Sequence, residues 1–163
     1  MRIQLLAAAV LAGAALSQPA AAQTAAPPVV TFASAADIAA IIAKARADHK
    51  DEPAGGGPIL QLAPYRANLE YRTGVGPAAV HENEAELFYV LDGSGTLITG
   101  GKLVGEKRLN PHNLTGTGVE GGASRAVAKG DMLIVPENTP HWFSAINGTL
   151  VMMSLHVPRP VNP

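Results

Sequence analysis

Residues His81 to Gly93 read HENEAELFYVLDG, and residues Gly130 to His141 read GDMLIVPENTPH. The first stretch passes from polar residues into an apolar and aromatic run that ends at a glycine. In the second, the apolar run Met132–Val135 lies between a glycine and a proline. Short apolar runs bounded by such residues are typical of β-strands. Each stretch therefore predicts a strand with histidine or glutamate close to one end.

Similar short runs continue from Ile59 to Val157, separated by glycine and proline. Several short strands that follow a single helix predict an all-β sandwich or barrel. The segment from Arg108 to Ser124 is rich in glycine and lacks periodicity, so we predict a long loop at the mouth of the barrel. The predicted strands are Ile59–Leu62, Tyr65–Arg72, Leu87–Leu91, Gly95–Thr99, Met132–Val135, His141–Ala145 and Leu150–Val157.

The N-terminal residues predict export. Arg2 precedes an apolar run of twelve residues, Leu5–Leu16, and the small residues Ala20–Ala22 follow a polar break. This is the pattern of a secretory signal peptide over residues 1–22, with cleavage before Gln23. A spanning helix needs roughly 20 apolar residues, so the run is too short to cross a membrane. We therefore expect a periplasmic or secreted protein without a membrane span.

Three further segments follow the signal peptide. Residues 23–33 are rich in alanine and proline and predict a flexible tether. Ser34–Asp48 predicts a helix, because Ser34 can cap it and isoleucines recur at helical spacing. His49–Pro58 has the composition of a linker. Residues 59–163 then form the predicted barrel domain.

Composition excludes two kinds of partner or site. The formal net charge is −1 and no basic cluster is present, so nucleic acid is not an expected partner. The chain has no cysteine, which excludes disulfides and thiolate metal ligands. We expect a small-molecule ligand or substrate.

The two stretches quoted first together resemble the two sequence motifs of the cupin family. In the first, Glu86 is followed by six residues and then Gly93; in the second, Gly130 is followed by five residues and then Pro136. The usual glycine two residues later is Asn138, which tolerates the same left-handed turn. The resemblance implies a single cupin-type β-barrel, a jelly roll or double-stranded β-helix, with an N-terminal helix.

The resemblance also implies one divalent metal ion inside the barrel. The family commonly uses two histidines and a glutamate from the first motif and one histidine from the second. If His81 is the second of the usual pair, Ala79 occupies the first position; if it is the first, Asn83 replaces its partner. The remaining set, His81, Glu86 and His141, suits Fe, Mn, Zn or Ni.

The spacing of the first two ligands requires a bend. His81 and Glu86 are five residues apart and would point to opposite faces of a straight strand. We therefore predict a bulge or bend within Glu82–Ala85, and Glu84 is the alternative carboxylate if the bend lies elsewhere. Strand alternation from the ligands places Phe88, Val90 and Phe143 on the cavity wall.

Two further histidines are secondary candidates. His112 lies in the predicted loop, and His156 lies on the last predicted strand, where it could face the cavity.

These residues support two main hypotheses. The first is a metalloenzyme acting on a small molecule, of the oxygenase, isomerase or lyase class. The second is a binding or sensing module without catalysis and with no obligatory metal. A third, structural role through the outer sheet and the helix stays open. The resemblance further implies a homodimer that covers the outward-facing Leu87, Tyr89, Leu91 and Trp142.

Overall fold

The computed structural model describes residues 28–48 and 53–159. It contains one helix, α1 (Ala35–Asp48), followed by strands. The strands are β1 (Ala54–Leu62), β2 (Tyr65–Arg72), β3 (Ala78–His81), β4 (Glu84–Thr99), β5 (Lys102–Val104), β6 (Lys107–Asn110), β7 (Asn113–Gly116), β8 (Gly118–Glu120), β9 (Ala123–Ala128), β10 (Met132–Val135) and β11 (His141–Pro158). The all-β class with an N-terminal helix is confirmed.

The helix begins at the predicted cap. The main-chain N–H of Asp37 donates to Oγ of Ser34 at 3.1 Å, and the main-chain N–H of Ser34 donates to the Asp37 carboxylate at 2.8 Å. This reciprocal pair satisfies amides that have no partner within the helix. The apolar face of α1 then packs on the outer surface of β1, β2 and β11, in a cluster that includes Ile38, Ile41, Ile42, Ala45, Ile59, Leu69, Tyr71 and Val151.

Within the described residues, nine strands form one sheet, and β5 and β8 form a second, small one. The large sheet runs β1-β2-β11-β3-β7-β6, and β4 pairs with β11, β9 and β10. Strands β4 and β11 are long because each combines two of the predicted strands. Their pairing contains three register shifts, which bend both strands around the barrel.

The interior of the barrel is filled by apolar side chains. Inward-facing residues from β4, β9, β10 and β11 form one buried cluster, so the barrel has a packed core below the site described next. Its members are Phe88, Val90, Leu97, Val127, Val135, Phe143, Leu150 and Met152.

Two predicted segments differ from the structure. The predicted loop Arg108–Ser124 contains most of β6, all of β7 and β8, and the start of β9. These strands are short, and all of β6 is exposed, so they lack the apolar alternation that predicts a strand. The predicted linker also contains strand, because β1 begins at Ala54 rather than Ile59.

The predicted signal peptide, residues 1–22, lies outside the described residues. The tether does so in part; near its end, Val30 exchanges two main-chain hydrogen bonds of 2.8 Å with Gln61 of β1. Among the residues described, no helix has the length and apolar character needed to cross a membrane.

Gly93, which ends the first motif, has a structural role that can be tested. Its φ is +81°, and a Cβ there would lie 1.8 Å from the carbonyl oxygen of Thr149. Gly130 has a φ of +92°, but a Cβ there meets no atom within 4 Å. We expect Gly130→Ala to lower the free energy of unfolding by about 1–2 kcal/mol, the cost of left-handed backbone. Gly93→Ala should cost about 2 kcal/mol more, because β11 must also move.

Urea denaturation of both variants, each compared with the wild type, measures this difference. Equal losses for the two variants would contradict the role assigned to the close approach at Gly93.

Candidate metal centre

The site is built around Glu86, near the start of β4. The register places His156 of β11 directly opposite Glu86 on one side and Val135 of β10 on the other. Directly opposite residues share a face of the sheet. Glu86 and His156 therefore both point into the barrel, and both are buried.

Two more histidines reach the same carboxylate from other strands. His141 is the first residue of β11 and lies opposite Ala79 of β3. His81 is the last residue of β3, and the chain then turns at Glu82 and Asn83 before β4 begins. This turn lies within the predicted bend and brings His81 beside Glu86.

All three imidazoles approach Glu86 through the same ring nitrogen. The Nε2 atoms of His81 and His141 each lie 3.2 Å from Oε2 of Glu86. Nε2 of His156 lies 3.1 Å from Oε1. The donor atoms of His81, Glu86 and His156 all lie within 4.8 Å of one another, a spacing suited to a shared metal ion.

The other nitrogen of each ring is hydrogen-bonded to an oxygen outside the site. Nδ1 of His141 donates to the carbonyl oxygen of Thr139 at 3.2 Å. Nδ1 of His81 donates to Oδ1 of Asn113 at 2.5 Å, and Nδ1 of His156 donates to Oε2 of Glu84 at 3.1 Å. Carbonyl and carboxylate oxygens only accept, so each Nδ1 carries a proton. Nε2 can donate to Glu86 when it also carries a proton, and it offers a lone pair to a metal ion when it does not.

The amide of Asn113 is itself held in place. Its Nδ2 donates to Oδ1 of Asn110 at 2.9 Å, which leaves Oδ1 of Asn113 directed at His81. The orientation of His81 therefore depends on the β6–β7 hairpin that covers this end of the barrel.

The charges at the site depend on one another. Burial would raise the pKa of Glu86, but hydrogen bonds with His141, His156 and His81 hold that pKa far below its usual range. Burial would lower the pKa of His81, but the hydrogen bonds to Glu86 and Asn113 raise the pKa above its usual value. Glu86 is therefore ionised, and the imidazoles around it compensate its charge.

The donor set of His81, Glu86 and His156 fits a divalent metal ion, and His141 contacts the same carboxylate from outside this group. Three neutral imidazoles would place three nitrogen lone pairs against an anionic carboxylate, an arrangement that needs a positive charge between them. In the absence of metal, hydrogen bonds from the rings compensate the charge of Glu86, and a divalent cation compensates it when bound. Three imidazole nitrogens and one carboxylate are ligands that suit Fe(II), Mn(II), Ni(II) or Zn(II).

The structure also distinguishes between the two possible alignments of the first motif, and it favours the one in which His81 is the second histidine. Ala79 and His81 are two apart on β3 and share a face, so Ala79 occupies the position of the first motif histidine. Asn83 is exposed at the turn, where its amide donates to Nδ1 of His112 at 2.8 Å. His112 lies at the exposed tip between β6 and β7, away from Glu86.

His156 and the alternative carboxylate Glu84 both lie at the site. His156 contacts Glu86 directly, as described above. Its inward orientation could have been found from the alternation of Leu150, Met152 and Ser154 before it on the strand. Glu84 accepts hydrogen bonds from Arg66 at 2.8 and 2.9 Å as well as from His156.

The predicted wall residues lie below the four donors. The ring of Phe88 is 6.2 Å from that of His141, between centroids. Phe143 packs edge-on against Phe88 at 5.5 Å, one layer deeper, and Val90 belongs to the same buried cluster. These side chains keep the lower side of the site apolar.

Comparison with known proteins identifies relatives by fold. Similar solved structures include a proposed mannose-6-phosphate isomerase of Ralstonia eutropha JMP134 (17% identity, 68% of this chain and 88% of that chain covered, TM-score 0.50). KdgF from Halomonas sp. matches at 16% identity over 69% of this chain and 86% of that chain, and FeII HppE at 15% over 64% and 51%, both with a TM-score of 0.50. At these identities the likeness shows the fold alone.

A search of curated proteins finds no match. The family model described as Cupin matches residues 44–160, which include both motifs, Glu86 and the three histidines around it. The chain belongs to the cupin family.

Proposed function

We propose that the protein binds one divalent metal ion through Glu86, His81, His141 and His156, and through it a small molecule. The observation that carries this proposal is the convergence of three Nε2 atoms on one buried carboxylate, at 3.1–3.2 Å. Each Nδ1 is held by an outer oxygen, as is usual for metal-binding histidines.

The four residues define what the site can offer. Three neutral imidazoles and one carboxylate leave one positive charge on the site when it binds a divalent ion. In an octahedral environment two positions remain for a ligand, and the ion supplies Lewis acidity there. An oxygen-donor small molecule fits these positions, with Phe88 closing the apolar side.

A catalytic role is the first form of this proposal, with oxygenase, isomerase and lyase as the candidate classes. Relatives of this fold include a proposed isomerase and an iron(II) protein, but one fold serves many activities. The second form is a binding or sensing module. This form is favoured because the polar side chains nearest the site already have hydrogen-bond partners. Glu84 is bonded to Arg66 and His156, and Asn113 is bonded to His81 and Asn110.

We also propose export and a homodimer, and both can be tested on protein from the native host. Tyr89, Met132 and Ile134 are exposed on the outer face of β4 and β10 and support pairing. Leu91 and Trp142 are covered within the chain, the first beneath α1 and the second against Gly118.

We expect the mature protein to begin near Gln23, and we expect light scattering to give the mass of a dimer. An intact Met1 in the cytoplasmic fraction, or a monomer at micromolar concentration, would contradict these proposals.

Metal content tests the central proposal. We expect wild-type protein to hold one metal ion per chain, measured by elemental analysis after incubation with Fe(II), Mn(II), Zn(II) or Ni(II). Glu86→Ala, His141→Ala and His156→Ala each remove a donor and should weaken binding by roughly 100-fold or more. His112→Ala is the matched control and should retain the metal. Wild-type protein that takes up none of the four ions would refute the proposal.

The coupled charges predict opposite pH dependences for stability and metal binding. The raised pKa of His81 contributes stability that is complete below pH 6.5 and is lost as pH rises through the folded-state pKa. The lowered pKa of Glu86 contributes stability above about pH 4.5 and loses it only in strong acid. Metal-free protein should therefore lose stability as pH rises above 6.5 through the raised pKa of His81, while metal affinity rises because the rings must be deprotonated.

Urea denaturation of chelator-treated protein across this range measures the first dependence. Glu86→Gln should flatten it, and Glu82→Gln, on the surface, should leave it unchanged. A stability that rises over the same interval would show that the assigned protonation is wrong.

A further inference from the structure

Behind His156 lies a second pair of charged residues that the proposed metal site does not use as ligands. Arg66 of β2 lies directly opposite His156, which in turn lies opposite Glu86. Nη1 and Nη2 of Arg66 donate to the two carboxylate oxygens of Glu84 at 2.9 and 2.8 Å. Oε2 of Glu84 then accepts the Nδ1 proton of His156 at 3.1 Å.

This contact determines which nitrogen of His156 is available to the site. An imidazole can carry its single proton on either nitrogen, and the hydrogen bond at one nitrogen selects the form. The Glu84 carboxylate can only accept, so it holds a proton on Nδ1 and leaves Nε2, which lies 3.1 Å from Oε1 of Glu86, as the nitrogen available to a metal ion. The two parallel bonds from Arg66 fix the plane of that carboxylate.

The three imidazoles differ in the group that holds them. His141 donates to a main-chain carbonyl and His81 to a side-chain amide, whereas His156 donates to a charged carboxylate. A carboxylate behind a histidine raises the basicity of the nitrogen that faces the metal. His156 also comes from the last strand, in a chain whose first motif has Ala79 in place of a histidine.

We propose that Glu84 and Arg66 form a positioning pair that holds His156 in its metal-binding tautomer and orientation. This inference rests on the proposed metal-binding function. It assigns Glu84 a role behind the ligand rather than on the metal, because its Oε2 is taken by His156 and both oxygens are held by Arg66.

The chain contains a matched control for this pair. Glu82 lies two residues before Glu84, and its carboxylate accepts two hydrogen bonds from Arg108 at 2.7 and 3.0 Å. Loss of either carboxylate removes the same kind of ion pair from this end of the barrel. Loss of Glu84 also removes the acceptor of the His156 proton.

Competition titration with Zn(II) measures the effect on affinity. We expect Glu84→Ala to weaken binding by about 10- to 100-fold, as is typical when an outer hydrogen-bond partner of a ligand is lost. Glu84→Gln keeps an oxygen that can accept from Nδ1 and should lose less, and Arg66→Ala should also lose less than Glu84→Ala. Glu82→Ala should bind within about threefold of the wild type.

Nitrogen-15 NMR of the histidine rings in Zn(II)-loaded protein provides a readout that general destabilisation would not change. Wild-type His156 should show an Nδ1–H that is protected from exchange with water by its hydrogen bond to Glu84. Glu84→Ala should lose that protection, and Glu82→Ala should keep it. Thermal unfolding checks that each variant folds. If Glu84→Ala does not fold, Glu84→Gln and Arg66→Ala provide the test.

Two outcomes separate this inference from the proposed function. If wild-type protein binds metal, and Glu84→Ala matches Glu82→Ala in both affinity and protection of the His156 Nδ1–H, the positioning role is wrong and the metal site stands. If wild-type protein binds no metal, the proposed function fails and the positioning role fails with it.

Discussion

Strands β4 and β11 pair along almost their whole length, from Glu84 opposite Pro158 to Thr99 opposite His141. This antiparallel ladder places residues that are far apart in the chain, such as Glu86 and His156, on one face of the sheet. At its open end it sets His156 beside Glu86, and along its middle it aligns Phe88 and Met152 in the packed core. Because both strands bend, His141 lies at the same end of the barrel as Glu86.

The second constraint is the buried charge of Glu86. A carboxylate removed from water is costly unless positive groups or hydrogen bonds compensate it. Here three imidazoles surround it, and each is held from behind by an oxygen. The hydrogen bonds that hold the rings come from different elements: the β6–β7 hairpin for His81, the turn before β11 for His141, and the start of β4 for His156. Much of the irregular structure at this end of the barrel thus supports one carboxylate.

This arrangement also shows that the residues of a site can come from different strands while the fold stays the same. The first motif has alanine at position 79, and a histidine from the last strand lies at the same carboxylate. Because neighbouring strands direct their side chains into one barrel, a donor can come from any strand whose register is correct. The fold therefore limits where a metal can bind, and the chemistry depends on which side chains line that end.

The sequence by itself determined the family, the helix and its cap, and the main strands. Those features depend on local patterns: the motif glycines, the Ser34–Asp37 capping box and the alternation of apolar residues. The sequence also indicated Glu86, His81 and His141 through the motifs. It did not predict the strands between Lys107 and Ala128, because these are held by backbone pairing with little apolar alternation.

Only the tertiary structure decided the place of His156 and the partner of Glu84. His156 and Glu84 are 72 residues apart, and their contact depends on the register between β4 and β11. A shift of one residue in that register would turn His156 out of the barrel. The register is set by packing and by the bulges along both strands, and neither can be deduced from the spacing of residues in one chain.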